Sequence, residues 1–182
     1  MASALIITDL QYDICDGGPF ANTNSLNIIP IINSIRDNYD FVIFIKKSPP
    51  LNSIIFKQNG GIYSRHCVIG THGNELHNDL IIKKSDLIVN RCTQYNYNSD
   101  SGFYDDETTE KQTKLKYFLQ VNSIKNLYFC GNNMDTCIFS TIFDALNYKF
   151  NCSIIMNTIG YINKETYDEK INFLKSLDIN FI

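Results

Sequence analysis

The chain has 182 residues, 44% hydrophobic and 19% charged, the size of one α/β domain that can bury a core without disulfide or metal staples. Its 16 Lys and Arg against 19 Asp and Glu give a net charge of −3. That excludes the concentrated basic surface that phosphate-backbone binding requires. No apolar run approaches the roughly 20 residues that span a bilayer, and the opening MASALIITDLQ lacks a signal peptide's basic and long apolar regions. The expectation is therefore a soluble cytoplasmic protein, with neither nucleic acid nor membrane as partner.

Taken in chain order, short β-branched runs alternate with amphipathic stretches. Strands are expected at Ala4–Ile7, Phe41–Ile45, Leu87–Val89, Asn126–Cys130 and Ser153–Met156, with a short terminal one over Asp178–Ile182. Helical spacing joins Leu26, Ile29, Ile32 and Ile35, then Leu115, Phe118 and Leu119, then Ile138, Ile142, Ala145 and Leu146, and finally runs over Lys164–Leu174. Such alternation points to an α/β fold, one domain over 1–182, with a mostly parallel sheet covered by helices on both faces. Two irregular segments break the rhythm. Ser48–Leu80 holds Pro49-Pro50, several glycines and all three histidines, and Thr93–Asp106 interleaves Tyr, Asn, Ser and Asp. Long insertions of this kind tend to carry function. The six cysteines form no Cys-x-x-Cys pair, so the expectation is buried thiols in a reducing compartment rather than a zinc ribbon.

Ligands of an open parallel sheet bind beyond the carboxyl ends of its strands, at the switch point of strand order. Asp9 closes the first strand, Arg91 closes the third, and Cys137 follows the fourth after a Gly/Asn turn. Placed in the first turn of a helix, Cys137 would gain thiolate character from the macrodipole and sit among unpaired N–H groups able to hold an oxyanion. Asp9 would relay a proton from the thiol to a leaving group. The same spacing also fits a helix-capping Asp135 with an inert buried thiol behind it and Asp9 as a satisfied turn residue.

Three ordered motifs then carry a family resemblance. Asp9-x-Gln11-x-Asp13, followed by Gly17-Gly18, resembles the D-x-Q-x-D-F-x-x-G-G opening of the isochorismatase-like cysteine hydrolases, in particular their nicotinamidase/pyrazinamidase branch. His66-Cys67-Val68-x-Gly70-Thr71-x-Gly73-x-Glu75-Leu76-His77 is similar to that branch's H-C-V-x-G-T-x-G-x-E-L-H, and Gly131-x-x-x-Asp135-x-Cys137 to its nucleophile motif. The resemblance implies a Rossmann-like three-layer fold, a small amide-type substrate and a possible homo-oligomer, while the departures below lead to the expectation of no cofactor. It also implies an Asp, Lys, Cys triad with a covalent thioester, Asp9 and Cys137 falling on two of its members. It further implies an oxyanion hole from the backbone amides of Asn133 and Cys137, with a cis peptide at Asn132–Asn133.

The chain departs from that pattern in three places. Arg91-Cys92 stands in the triad's Lys-Gly position, with Lys84-Ser85 as the alternative match, and Arg retains the charge on a proton that is effectively permanent. The branch's metal-binding D-x-H-P…H falls on Lys46, Ser48 and Asn52, with His66 left alone, so no catalytic metal is expected. Lys46 would then occupy the vacated cation position and pair with an anionic substrate group, or else lie on a solvated edge; His66 would touch substrate or serve structure. Ile14 replaces Phe and would reshape the substrate pocket, which Tyr95, Tyr97, Phe103 and Tyr104 would wall unless they serve packing. The leading expectation is a metal-independent cysteine amidase, nicotinamidase-like. The alternative is an impaired pseudoenzyme used for ligand binding or assembly.

Overall fold

Residues 2–22, 24–106, 108, 111–177 and 179–182 are described in the computed structural model. Six strands form one sheet: β1 (Ala2–Thr8), β2 (Phe41–Lys47), β3 (Leu87–Arg91), β4 (Ile124–Gly131), β5 (Asn151–Ile159) and β6 (Ile179–Phe181). Every pairing is parallel, in the order β3-β2-β1-β4-β5-β6. This is the doubly wound arrangement, with the switch point between β1 and β4. The expected strands are all present, most extended by a residue or more at one or both ends; Asp178, the expected start of the last, lies outside the described residues.

Period-two alternation sorts the sheet residues onto two cores. Ala4, Ile6, Ile43, Ile45, Val89, Leu127 and Phe129 face one side. There they meet α2 (Leu115–Val121), α3 (Phe139–Asn147) and α4 (Lys164–Lys175) through Leu115, Leu119, Ile142, Ala145, Ile171 and Leu174. Leu5, Ile7, Val42 and Phe44 face the other side, where α1 (Ser25–Ile35) covers them with Ile28, Ile29 and Ile32. The α1 stripe is thus rotated from the expected one, since Leu26 is exposed and Ile28 takes its place in the core. Each buried Ile or Leu contributes about 1.5–3 kcal/mol, so packing rather than helix propensity holds these helices. All six thiols are free and buried. Among the described residues, no helix is long and apolar enough to cross a membrane.

Candidate active site

The site forms where β1 and β4 end side by side. Thr8 pairs with Gly131 in register. Gly131 has φ 102°, and a Cβ there would collide with the Thr8 backbone, so glycine permits the two strands to approach. The Thr8 hydroxyl donates to Cys130 O at 3.2 Å and also to Asn132 O, while Asn132 N–H donates to Thr8 O at 2.8 Å. These bonds fix the turn that carries the cis Asn132–Asn133 peptide. A wide π-type turn, Met134–Ile138, follows and is closed by Ile138 N–H to Asn133 O at 2.9 Å. The Asn133 side chain accepts from Asn22 Nδ2, and its own N–H makes no hydrogen bond among the described residues. Asp135 does not cap its helix. Its Oδ2 accepts from Ile162 N–H at 2.5 Å and ties down the loop after β5.

Three of the expected residues converge here. Arg91 Nη2 lies 2.5 Å from Asp9 Oδ2, and both side chains are 2% exposed. Arg91 Nη1 donates to the Ser99 carbonyl and stands 4.0 Å from the half-exposed Asp100. Lys84, the alternative match, is exposed in the turn before β3. Asp9 adopts φ 49° and donates its N–H to Ile45 O at 2.9 Å. This left-handed turn breaks the β1 alternation and brings the carboxylate to the side that Arg91 occupies. Burial alone would weaken the Arg91 charge, but Asp9 beside it more than compensates, and its pKa lies above the ordinary value. Asp9 Oδ1 is buried and meets no hydrogen-bond partner among the described residues.

Cys137 is fully buried, its sulfur 4.0 Å from the Thr141 hydroxyl. Its ionisation corrects the expectation of thiolate character. Burial pushes the pKa well up, Arg91 pulls it down, and Asp9 and Asp100 raise it again. Loss of hydration outweighs the guanidinium, so the resting group is a neutral thiol. Cys67, also buried nearby, is raised by the same cause.

A cavity of about 110 Å³ opens over the Asp9–Arg91 pair and is lined also by Asn133, Ile14, His66, Phe20, Tyr63 and Lys47. That is the scale of an apolar cavity that accepts a benzene-sized ring, at roughly 150 Å³. Ile14 and His66 both line this cavity, and both irregular segments reach it, through Tyr63 and His66 and through Asp100. Lys46 does not. Its ammonium is taken up by Asn74 O and Oδ1, each at 3.0 Å, and the cavity lysine is Lys47. Strand alternation is the reason: Lys47 continues the row of Ile43 and Ile45 and stands in register with Arg91, whereas Lys46 faces the other way. Phe103 is core, and Tyr104 shares a hydrogen bond with Tyr148 rather than walling the cavity.

Residues without an assigned role in the motifs hold this rim. Gln11 receives Lys47 N–H on Oε1 at 2.8 Å and donates from Nε2 to Lys47 O at 2.8 Å. Asn74 Nδ2 reaches Lys47 O and Cys67 O, both at 2.8 Å, and Asp13 Oδ2 accepts Cys67 N–H at 2.6 Å. Gln11 and Asp13 were visible as motif members. Asn22 and Lys47 carried no sequence signal, because their roles depend on contacts between distant segments.

An isochorismatase domain model matches residues 3–179. The chain belongs to the isochorismatase family. It is 28% identical to a nicotinamidase of Acinetobacter baylyi over 176 residues, covering 88% of this chain and 82% of that one. Among solved structures, a zinc complex of the Pyrococcus horikoshii pyrazinamidase superposes with TM-score 0.90 at 27% identity, over 100% of this chain and 99% of that one. An Acinetobacter baumanii nicotinamidase/pyrazinamidase gives 0.92 at 25%, over 99% and 95%. This isochorismatase-family protein is accordingly a hydrolase, and the alternative of a pure binding module finds no support in the comparisons.

Its donor set does not suit the metal that such relatives invite. Ser48 Oγ is 3.2 Å from Asn90 Oδ1, Asn52 is exposed, and His66 Nδ1 is committed to Ser64 O at 2.8 Å. The Pro49-Pro50 pair admits a second register of D-x-H-P, one residue later. The side-chain directions favour it, and it puts Lys47 and Pro49 in ligand places. Neither register supplies a carboxylate or a second imidazole, and among the described residues no three His, Cys, Asp or Glu gather as ligands.

Proposed function

We propose that this isochorismatase-family hydrolase is a cysteine amidase that cleaves a small planar amide without a metal ion, nicotinamide being the first substrate to try. The observation that carries this reading is the buried Asp9–Arg91 pair at the cavity, with the Cys137 thiol buried behind it within reach of both charges. The nicotinamidase relatives supply the amide class.

In this reading the Cys137 proton passes to Asp9 as sulfur attacks the amide carbon. The negative charge moves to the carbonyl oxygen, which the N–H groups of Asn133 and Cys137 receive. Asp9 then returns that proton to the departing nitrogen, and ammonia leaves a thioester on Cys137. Water, deprotonated by Asp9, attacks the thioester; the acid departs, and the sulfur regains its proton. Arg91 stays charged throughout. It holds the Asp9 carboxylate in place through their ion pair and offsets the sulfur's developing charge. A neutral resting thiol suits this sequence, since proton transfer is coupled to attack and the idle enzyme is protected from oxidation.

The test is ammonia release from nicotinamide, pyrazinamide and benzamide by the full chain, with and without EDTA. Release that survives the chelator and disappears in Cys137→Ala supports the reading. Release that EDTA abolishes and zinc restores would overturn the metal-free step.

A further inference from the structure

The recognition end of the cavity contains a cation without a counter-ion. Lys47 is 8% exposed, and among the described residues its ammonium has neither a carboxylate nor a hydrogen-bond acceptor. It lies over the Tyr63 ring, 5.5 Å from the centroid. Asp9 is paired with Arg91, Asp13 is engaged by the Cys67 N–H and makes no ion pair with Lys47, and Asp100 stands 4.0 Å from Arg91. The Lys47 backbone is pinned at N–H and C=O by Gln11 and Asn74, so the strand holds the root of the side chain on the cavity side. Long lysine side chains ordinarily place the charge in solvent; this one is held at a cavity wall.

His66 completes the pattern. Its Nδ1 faces the Ser64 carbonyl, which can only accept, so Nδ1 carries the proton. Burial and the Lys47 charge keep the ring neutral, its pKa pushed down to about 4, which leaves Nε2 as a bare acceptor. The Phe20 ring, 4.1 Å from His66, and Tyr63 form apolar walls that suit a flat molecule.

We propose that Lys47 is a specificity-determining residue and that the substrate is an aromatic amide bearing a second, anionic group, a carboxylate, seated on the Lys47 ammonium. The proposal rests on the amidase reading for the amide half only. An ammonium at the cavity wall with no acceptor of its own gains more from a charged acceptor than from a neutral ring nitrogen, because charge-assisted hydrogen bonds are about twice as strong as neutral ones.

Calorimetric titration of the full chain with isophthalate, terephthalate and benzoate tests it. At least one dicarboxylate should bind at least about 10-fold more tightly than benzoate, a ratio that one charge-assisted contact can supply. Lys47→Met and Lys47→Gln, both close in shape, should each bring that preference below about 2-fold, while Lys46→Met should leave it intact. Equal binding of all three acids by the wild type, no binding at all, or a preference that survives in both folded Lys47 variants would overturn it. Failure of the amidase reading shows separately, as no ammonia from 3-carbamoylbenzoate, nicotinamide or benzamide while the acids still bind.

Discussion

The two ends of the cavity solve opposite electrostatic problems. At the inner end every charge has its partner: Arg91 holds Asp9 at 2.5 Å, and both are out of water. At the rim, Lys47 is unpartnered and His66 is neutral. In the proposed reading, the contrast separates reaction from recognition. A proton relay needs fixed, compensated charges whose balance does not change when substrate enters. A recognition site needs a charge left open, so that the ligand supplies what is missing.

Substitutions at the inner end should have the largest effects. Cys137→Ala should lower hydrolysis by more than about 10⁴-fold, and Asp9→Asn by about 10²–10⁴-fold, in initial-rate assays with the fold checked by circular dichroism. If Asp9→Asn were as active as the wild type, the relay would have to lie elsewhere. Arg91→Met strands the Asp9 charge and should cost about 3–5 kcal/mol of stability by denaturant unfolding. The double variant with Asp9→Asn should cost less than the sum, since no isolated charge then remains buried.

The rim should respond to pH rather than to loss of a partner. His66 has a folded pKa of about 4 against an ordinary 6.5, so between those values the unfolded chain binds more protons. Its contribution is intact above pH 6.5 and is lost as pH falls toward 4, on the order of 3 kcal/mol in all. Unfolding curves should show this slope, and His66→Asn should flatten it. Alkylation offers a finer comparison. Because burial raises the Cys137 pKa, iodoacetamide should label it no faster than free cysteine at pH 7, and fast labelling would restore the thiolate expectation. The smallest effect belongs to Lys46→Ala, less than about 2-fold on turnover, in contrast to its neighbour, because its ammonium is spent on Asn74.

The placement of Asp9, Arg91 and Cys137 was legible because each directly ends or follows an apolar strand, and strand ends converge in a doubly wound sheet. Lys47 was not. In a parallel strand buried on both faces, Phe41 to Ile45 is continuously apolar, so no alternation shows which of two successive lysines points inward. The Pro49-Pro50 pair left the motif register equally open. The protonated state of Cys137 was hidden for another reason. A helix end is visible in sequence, but the burial that raises the thiol's pKa is produced by α3, the sheet and the segment around Phe103 packing together.

The sequence by itself determined the order of strands and helices, the family motifs and the identity of the acid, the guanidinium and the sulfur, since those follow from local pattern. Tertiary structure decided which lysine enters the cavity, how the thiol ionises and which side chains hold Asn133 and the rim. Each of these depends on side-chain direction and dehydration, which exist only once distant segments have packed.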